Sequence, residues 1–562
     1  MASLFMIAVS LLTYCGTCTA VQSQDRPQQK NIHCSQWLAS KTRNKYIGYE
    51  FQCRNQHVEV ALGWCATYED EVGILLMKCP YFQVRGHNIT SEGYFILPSN
   101  TSKLNNYMCG PMKRKGQVCM DCIDGFGPSY TSLGYECSNC TGCWYGVPLY
   151  LLVELVPNTI FYLIILTFQI RLTSAPMIGF IWYSQTVLLE ITYSGAKPIS
   201  RILYQSRNAS KGLKVILALY GMWNLDFIRY LVPPFCISLK LKTIHIAFLD
   251  YTSAIYPLFL ICLTWICIKL YGQNFRPLVW VWRLLHRCNV ISSRNRDAKN
   301  DIINVFTSFF FLSYSKLVYQ SVKLLSCHHI INIDNASHYS YVTRVDPSVN
   351  CYSKEYYFFA TPAIVIIIVC VTLPTLLFLL YPTRVFQTCF SKCNAYLQIA
   401  VSIFMEKFHS CYRDGLEGGR DMRRFCGFYF YLQILTCLYY PLNLKKLSVA
   451  YRTYQIILLA SASILIAFTR PYKKSYMNVL ESLLLALMAL LYHFLSKDHK
   501  SDGHVKLFVT TLIPAMVFIT FSVLKMINKI CKLVGIKLDK CHTVKCVVSM
   551  KKKLVELYTV SS

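Results

Sequence analysis

The sequence predicts an all-α polytopic membrane bundle of about nine transmembrane helices, with a small N-terminal disulfide-rich extracellular module. Three observations predict this class. Of the 562 residues, 54% are hydrophobic and 14% are aromatic, a high share for a soluble protein. The hydrophobic residues are collected in runs long enough to cross about 30 Å of hydrocarbon. Ten cysteines lie in residues 21–145, directly ahead of the first long run, as is typical of an exported disulfide module.

The net charge of +29 does not indicate nucleic-acid binding, because the basic residues lie between apolar segments and in a basic cytosolic tail, residues 527–562. We expect membrane lipids as partners, with anionic inner-leaflet lipids at this tail. The sequence contains no P-loop, nucleophile elbow or HExxH motif, so we predict no enzyme, cofactor or metal site.

Residues 1–20 are predicted to be a signal peptide. Their apolar stretch is too short to span a bilayer, and small residues suitable for cleavage follow near Ala20. The alternative, a short first transmembrane helix, fits less well for the same reason. Export would make residues 21–145 a cysteine-rich extracellular domain. Glycosylation sequons support that side of the membrane at Asn88, Asn100 and Asn139.

The cysteines of this domain allow two chemistries. Cys119-x2-Cys122 followed by Cys137-x2-Cys140 approximates a four-thiolate zinc site. A further cysteine continues the same spacing, and a sequon lies inside the chelate, so we prefer disulfides, whose pairing the sequence does not assign. The predicted disulfide cysteines are Cys34, Cys53, Cys65, Cys79, Cys109, Cys119, Cys122, Cys137, Cys140 and Cys143, with Cys327 and Cys351 in a later loop.

Residues 146–526 are predicted to be the multipass transmembrane domain. The basic loop 272–300 and the loop 383–424 are expected in the cytosol under the positive-inside rule. The loop 327–354 has few basic residues and a sequon at Asn335, so it is expected outside. The candidate spans are 147–168, 176–195, 213–235, 245–270, 302–326, 355–381, 425–443, 449–469, 475–496 and 505–526.

Parity allows only one crossing between the first and fourth candidates. A glycan on Asn208 would make 176–195 the spanning segment, with 213–235 in the interface or re-entrant. Cytosolic basic residues in 197–214 would instead make 213–235 the spanning segment. Five basic residues in that short loop favour the second choice. Either choice gives nine crossings, with the amino terminus outside and the carboxyl terminus inside.

Ionisable residues inside spans are costly and therefore point to function, and an excess of acid suits cations. The alternative is that these groups pair only to fix helix register: Asp226 with Arg229, and Lys316 with Asp250 or Glu190. The candidate cation path comprises Glu154, Gln185, Glu190, Asp250 and Glu481. The candidate intramembrane ion pairs comprise Asp226, Arg229 and Lys316.

The stretch CYRDGLEGGRDMRRF, residues 411–425, follows an amphipathic pattern at 394–410 that predicts a helix along the inner leaflet. Its glycines are expected to break that helix. Its charges predict either a local ion-pair network or a solvated turn, and the turn is the simpler interpretation.

Several stretches, among them GQVCMDCIDGFGPSY, LYLLVELVPNTIFYLIIL, YGMWNLDFIRYLVPPFCIS and LSYSKLVYQSVKLL, resemble a large set of uncharacterised multipass membrane proteins. These proteins carry cysteine-rich, EGF-like or ephrin-receptor-like ectodomains and are expanded in early-branching animals. The resemblance covers about residues 109 to 526. More remotely, the nine-span layout is similar to the fungal TRP-like and polycystin-like family that includes the flavin carriers, which implies cation flux or membrane trafficking.

We therefore expect a plasma-membrane glycoprotein delivered by the secretory pathway. Its function would be channel-like or transporter-like, with cation conduction gated through the ectodomain. The alternative is a cell-surface receptor or adhesion protein that binds an extracellular ligand, and lipid handling is a third reading. A second copy of the chain is the remaining partner considered.

Overall fold

The computed structural model describes part of the chain. The predicted signal peptide, the candidate span 505–526 and the basic tail lie outside the described residues. So do Cys34, Cys79, Cys109, Cys119, Cys143, Asn88, Asn100, Asn335 and Arg229. The described residues are 51–54, 57–61, 64–69, 73–78, 94–96, 113–115, 121–130, 137–140, 145–168, 170, 172–173, 175–193, 218–226, 231–239, 241–272, 295–332, 339–391, 395–415, 420–438 and 447–496.

The described chain is mostly helical. A π-helical turn, Ile367–Thr372, joins two of the helices into one continuous rod. The helices are α1 (Gly146–Phe168), α2 (Ala175–Tyr193), α3 (Thr243–Leu249), α4 (Thr252–Gly272), α5 (Asn295–Leu325), α6 (Lys354–Ile366), α7 (Leu373–Leu380), α8 (Arg384–Phe390), α9 (Ala395–His409), α10 (Arg424–Cys437), α11 (Leu447–Thr469) and α12 (Ser475–Ser496).

Five segments within the described residues are long and apolar enough to cross a membrane. The coarser prediction, a mostly helical membrane protein, is therefore confirmed, whereas nine spans and an extracellular module stay predictions. The segment Thr453–Thr469 is a shorter apolar helix. The five segments are Gly146–Leu166, Thr243–Cys267, Ile302–Leu325, Lys354–Leu380 and Ser475–His493.

Helix α5 lies at the centre of the bundle. It packs against α1, α4, α6 and α10, and its Phe309, Phe311 and Tyr314 are fully buried. Aromatic rings extend this core, since the ring centroids of Phe378 in α7 and Phe430 in α10 stack 4.6 Å apart. The outer helices instead expose apolar side chains, as expected where a bundle faces lipid.

The two segments that compete for the second crossing differ in form. The first is the continuous helix α2, buried along Ile178–Leu188. The second is not one helix: residues 218–222 are helical, residues 223–225 form a turn, and Leu225 has a left-handed φ of 61°. The described residues of 213–235 therefore do not form one continuous helix, whereas α2 is continuous. Neither segment is among the five that are long and apolar enough to cross a membrane, so the choice between them stays a prediction.

Twelve short strands, described at the backbone level, build four small antiparallel sheets. The largest has the order β12-β11-β4-β3, and in it Ile331 and Asn332 of β11 pair with Leu76 and Leu75 of β4. The N-terminal module thus shares a sheet with the loop between α5 and α6. The strands are β1 (Phe51–Arg54), β2 (His57–Ala61), β3 (Trp64–Glu69), β4 (Gly73–Lys78), β5 (Tyr94–Ile96), β6 (Arg114–Lys115), β7 (Asp121–Cys122), β8 (Phe126–Tyr130), β9 (Cys137–Asn139), β10 (Phe235–Cys236), β11 (Cys327–Asn332) and β12 (Tyr339–Thr343).

Three disulfides are described: Cys122–Cys137, Cys140–Cys236 and Cys327–Cys351. The second reaches Cys236, which the sequence analysis left out of its set of paired cysteines. Strand β10 also joins the sheet of β8 and β9, so the chain after the broken segment returns to the module. Asn139, the sequon residue at the end of β9, is exposed.

We call the end of the bundle that meets these strands the module end. The opposite end is closed by the charged stretch that follows α9. Arg413 N–H donates to the Pro471 carbonyl at 2.9 Å, and Lys473 N–H donates to the Cys411 carbonyl at 3.0 Å. Gly415, with a φ of 77°, makes the turn that follows. The stretch is therefore clamped to the α11–α12 connection.

The charged residues of this stretch form ion pairs both within the stretch and with the α11–α12 connection. Asp421 binds Arg423 at 2.7 Å, whereas Asp414 binds Lys473 at 2.8 Å. Partial burial raises the pKa of Asp421, but the hydrogen bonds and the charge of Arg423 lower it more. The pKa of Asp421 therefore lies below its ordinary value. Both pairs are partly exposed, so each contributes at most about 1 kcal/mol.

Candidate functional site

The candidate site is a row of polar contacts along one face of α5, which we call the α5 seam. It consists of the Leu312 carbonyl, Lys316, Gln320 and the groups that they bind. These three residues are spaced by four, which places them one above another on a helix. A fourth residue in the same register, Ser308, accepts a hydrogen bond from Leu172 N–H at 3.3 Å. From Ser308 to Gln320 the row extends about 18 Å along the helix axis.

Lys316 lies in the middle of the seam and is 2% exposed. Its ammonium group contacts the Asp226 carboxylate at 2.5 Å and also donates to the Ser253 hydroxyl. Asn224 donates to the other carboxylate oxygen at 2.9 Å. The lysine therefore joins α5 to α4 and to the turn that breaks the segment 218–226.

Asp250 lies one step nearer the module end. It follows α3 directly, and its carboxylate accepts a hydrogen bond from Gln320 Nε2 at 3.1 Å. The carbonyl of Asp250 accepts from the Ser253 hydroxyl at 3.1 Å, so the two levels of the seam are linked. The amide oxygen of Gln320 has no hydrogen-bond partner among the described residues.

Gln185 of α2 lies one step on the other side of Lys316. Its Nε2 donates to two carbonyls, those of Trp223 and Leu312, at 2.9 Å each. It thereby satisfies a carbonyl in the broken segment, where no helix can do so. The Gln185 amide oxygen is buried without a partner among the described residues.

Glu154 occupies a different place, where α1 meets the module. Tyr130 at the end of β8 donates its hydroxyl to the Glu154 carboxylate. The Tyr130 ring packs 5.0 Å from that of Tyr150, whose own hydroxyl reaches Thr252 of α4 at 2.9 Å. This contact joins the strand module to the bundle.

Glu481 lies towards the opposite end, six residues after the start of α12. Its carboxyl faces Tyr429 of α10 and lies against Gly179 of α2, where an added methyl group would overlap it. Glu481 is 2% exposed. It belongs to a second, separate polar cluster.

The predicted site residues are thus distributed rather than gathered. The structure unites Gln185, Asp226 and Lys316, brings Asp250 to the next level, and places Glu154 and Glu481 towards opposite ends. The side chain of Glu190 and the whole of Arg229 lie outside the described residues. Ser253 and Gln320 were missed, because a single neutral polar residue in a span gives only a weak signal.

Electrostatically, the described bundle carries excess buried acid. Lys316 is its one buried ammonium, against the carboxyl groups of Glu154, Asp226, Asp250 and Glu481. Buried charges must be paired, protonated or neutralised by a ligand. No group of three or more His, Cys, Asp and Glu side chains arranged to hold a metal occurs in the described part of the chain.

Comparison with family models, with curated proteins and with solved structures found no match. The function must therefore be inferred from the site itself.

Proposed function

We propose that this chain is a nine-pass plasma-membrane protein that moves cations along the α5 seam. The observation that carries the proposal is the stacked series Gln185–Leu312 carbonyl, Asp226–Lys316 and Asp250–Gln320, buried through the middle of the bundle. Acid groups and amide oxygens at successive helical turns are the ligands that a desolvated cation requires. The broken backbone at 223–225 supports the same function, because such breaks are tolerated at membrane depth where they line a path.

Lys316 would act as the charge gate of this path. In the structure the Lys316 ammonium group is bound to the Asp226 carboxylate. A cation that binds this carboxylate must therefore displace the ammonium group. The displaced ammonium keeps a partner in the Ser253 hydroxyl. The amide oxygens of Gln185 and Gln320, which accept no hydrogen bond from a described residue, flank the gate on either side.

The proposed topology places the strand module and the hairpin β11–β12 outside the cell. It counts α1, α2, α3 with α4, α5, α6 with α7, α10, α11, α12 and the segment 505–526 as crossings. Because α2 then crosses, the loop that follows it lies outside and Asn208 should carry a glycan. Mapping glycans by peptide N-glycosidase and mass spectrometry tests this: an unmodified Asn208 beside an occupied Asn139 would contradict the assignment.

The functional test is cation flux into liposomes containing the purified full chain. We expect flux in the natural chain and a loss of about tenfold or more in Asp250→Asn, which removes the charge but keeps the shape. The matched control is Glu355→Gln, because Glu355 pairs with Lys242 on the exposed surface. The proposal fails if the natural chain gives no flux under a voltage and a gradient, or if Asp250→Asn conducts as well as the control.

A receptor is the second candidate, and one observation favours it. Strand β4 of the module pairs with β11, which begins two residues after α5 ends, so an external load on the module reaches the helix that holds Lys316. A receptor would couple ligand binding at the module to a change at the opposite end without flux. Cysteine labelling at the exposed Arg424 position, with and without module-directed antibody, separates the two functions.

A further inference from the structure

The cluster around Glu481 is built from three helices that meet in the half of the bundle away from the module. Glu481 comes from α12, Tyr429 and Gln433 come from α10, and Gly179 comes from α2. Tyr429 and Gln433 are four residues apart and so share one face of α10. Glu481, Tyr429 and Gln433 are 2%, 3% and 0% exposed. The site is therefore closed to solvent on every side.

Its polar atoms are not all satisfied by the protein. The Tyr429 hydroxyl faces the Glu481 carboxyl group and pairs with it, but neither amide atom of Gln433 has a hydrogen-bond partner among the described residues. Leaving such atoms unpaired in an apolar interior costs about 1 to 3 kcal/mol each, and more for a charge. A buried carboxyl group that faces a phenol, with an unpaired amide one helical turn away, indicates that the site is completed by a bound species.

The backbone of α2 comes close to the Glu481 carboxylate at Gly179, where only a residue without a side chain fits. A Cβ at this position would overlap Glu481 Oε2, although alanine is otherwise the better residue in a helix by about 1 kcal/mol. Trp182, one turn later, packs its ring edge-on against Tyr429 at 4.6 Å. The ring fixes the phenol next to the carboxyl group.

The donor set selects the ligand. One carboxylate supplies a single negative charge, and a phenol oxygen and an amide oxygen supply neutral hard ligands. A monovalent cation balances that charge, whereas a divalent ion would leave a buried positive excess. We propose that Glu481, Tyr429 and Gln433 bind a monovalent metal cation. The site deepens the proposed function and rests on it for its physiological meaning, but cation binding can be measured without any flux.

The test is thermal unfolding of the purified full chain in detergent, followed by tryptophan fluorescence, while sodium chloride replaces N-methyl-D-glucamine chloride at constant ionic strength. A site that binds only the folded state raises the melting temperature in a saturable way, here by about 2 to 4 °C. We expect Glu481→Gln to abolish this rise and Tyr429→Phe to weaken the half-saturating concentration about fivefold to tenfold. Gly179→Ala should weaken it as well, by displacing the carboxylate.

Glu355→Gln is the control, since it neutralises a carboxyl group on the exposed surface, outside the cluster, and should keep the full sodium response. If Glu481→Gln does not fold, Tyr429→Phe and Gly179→Ala decide alone. No sodium-specific stabilisation in the natural chain, or an equal response in the cluster variants and the control, overturns the proposal. Because no step of the test needs transport, an absence of flux would defeat the proposed function and leave this site standing.

Discussion

Replacing Lys316 by methionine should strongly destabilise the protein. Lys316 and Asp226 are 2% and 7% exposed, and their charged groups are in contact at 2.5 Å. Methionine keeps the unbranched stem but removes the charge, which leaves a buried carboxylate without its counter-ion. Breaking a buried pair in this way costs about 3 to 5 kcal/mol. Asp226→Asn should cost a similar amount, because it strands the ammonium.

Combining the two substitutions tests directly whether the two charges interact. Lys316→Met with Asp226→Asn removes both charges together, so its loss should fall well below the sum of the two single losses. The difference, a coupling free energy, should reach about 2 to 3 kcal/mol. The control cycle uses Lys242 and Glu355, whose side chains are 45% and 38% exposed and pair at 2.8 Å. That cycle should give less than about 1 kcal/mol.

Reversible unfolding in mixed detergent micelles, followed by tryptophan fluorescence, supplies the four free energies of each cycle. A coupling below about 0.5 kcal/mol for the buried pair would refute the reasoning. It would mean that Asp226 is neutral, or that the charges are hydrated. In either case Lys316 could not gate a cation path by occupying that carboxylate.

Three further predictions concern the ends of the bundle. Changing both Cys140 and Cys236 to serine should lower the free energy of unfolding by about 2 to 4 kcal/mol, and non-reducing peptide mapping of the natural chain should recover these two cysteines in one linked peptide. Burial, and then the charge of Arg423, lower the pKa of His409 to about 4, below its ordinary 6.5. The unfolded chain therefore binds more protons between those values, so stability should fall as the pH drops from about 6.5 to 4, and melting curves of His409→Phe should lose that part of the slope. Tyr130→Phe keeps the ring but deletes the hydrogen bond to a buried carboxylate, and should lower the free energy of unfolding by about 1 to 3 kcal/mol in chemical denaturation; an unchanged value would show that this contact does not join module and bundle.

The sequence predicted what depends on local composition. Apolar length located the helices that became α1, α4, α5 and α12, because the hydrocarbon thickness sets a minimum run of apolar residues. The cost of burying charge likewise singled out the ionisable residues of the seam before any contact was known.

Partner choice could not be predicted in the same way. The predicted partner of Lys316 was Asp250 or Glu190. The structure pairs Lys316 with Asp226 instead, from the segment 213–235, which was expected either to span the membrane or to lie in the interface or re-enter. The turn at 223–225 has no proline or glycine within it, and its local signals, Asn224 and the preceding Gly221, occur in helices as well, so they do not locate the break. It is stabilised from outside by the Gln185 amide, a contact between residues 38 positions apart. Tertiary contacts of that kind override local propensity.

The strand module is connected separately to the two elements that carry Lys316 and Asp226. Strand β11 continues from α5, so the sheet shared with β4 is joined to the helix that bears Lys316. Strand β10 and the Cys140–Cys236 disulfide join the module separately to the segment that bears Asp226. The two partners of the buried ion pair are therefore tied to the module through different strands. A displacement of β4 relative to β8 would therefore reach α5 and the segment that bears Asp226 through different attachments, and the Asp226–Lys316 pair is a contact between those two elements.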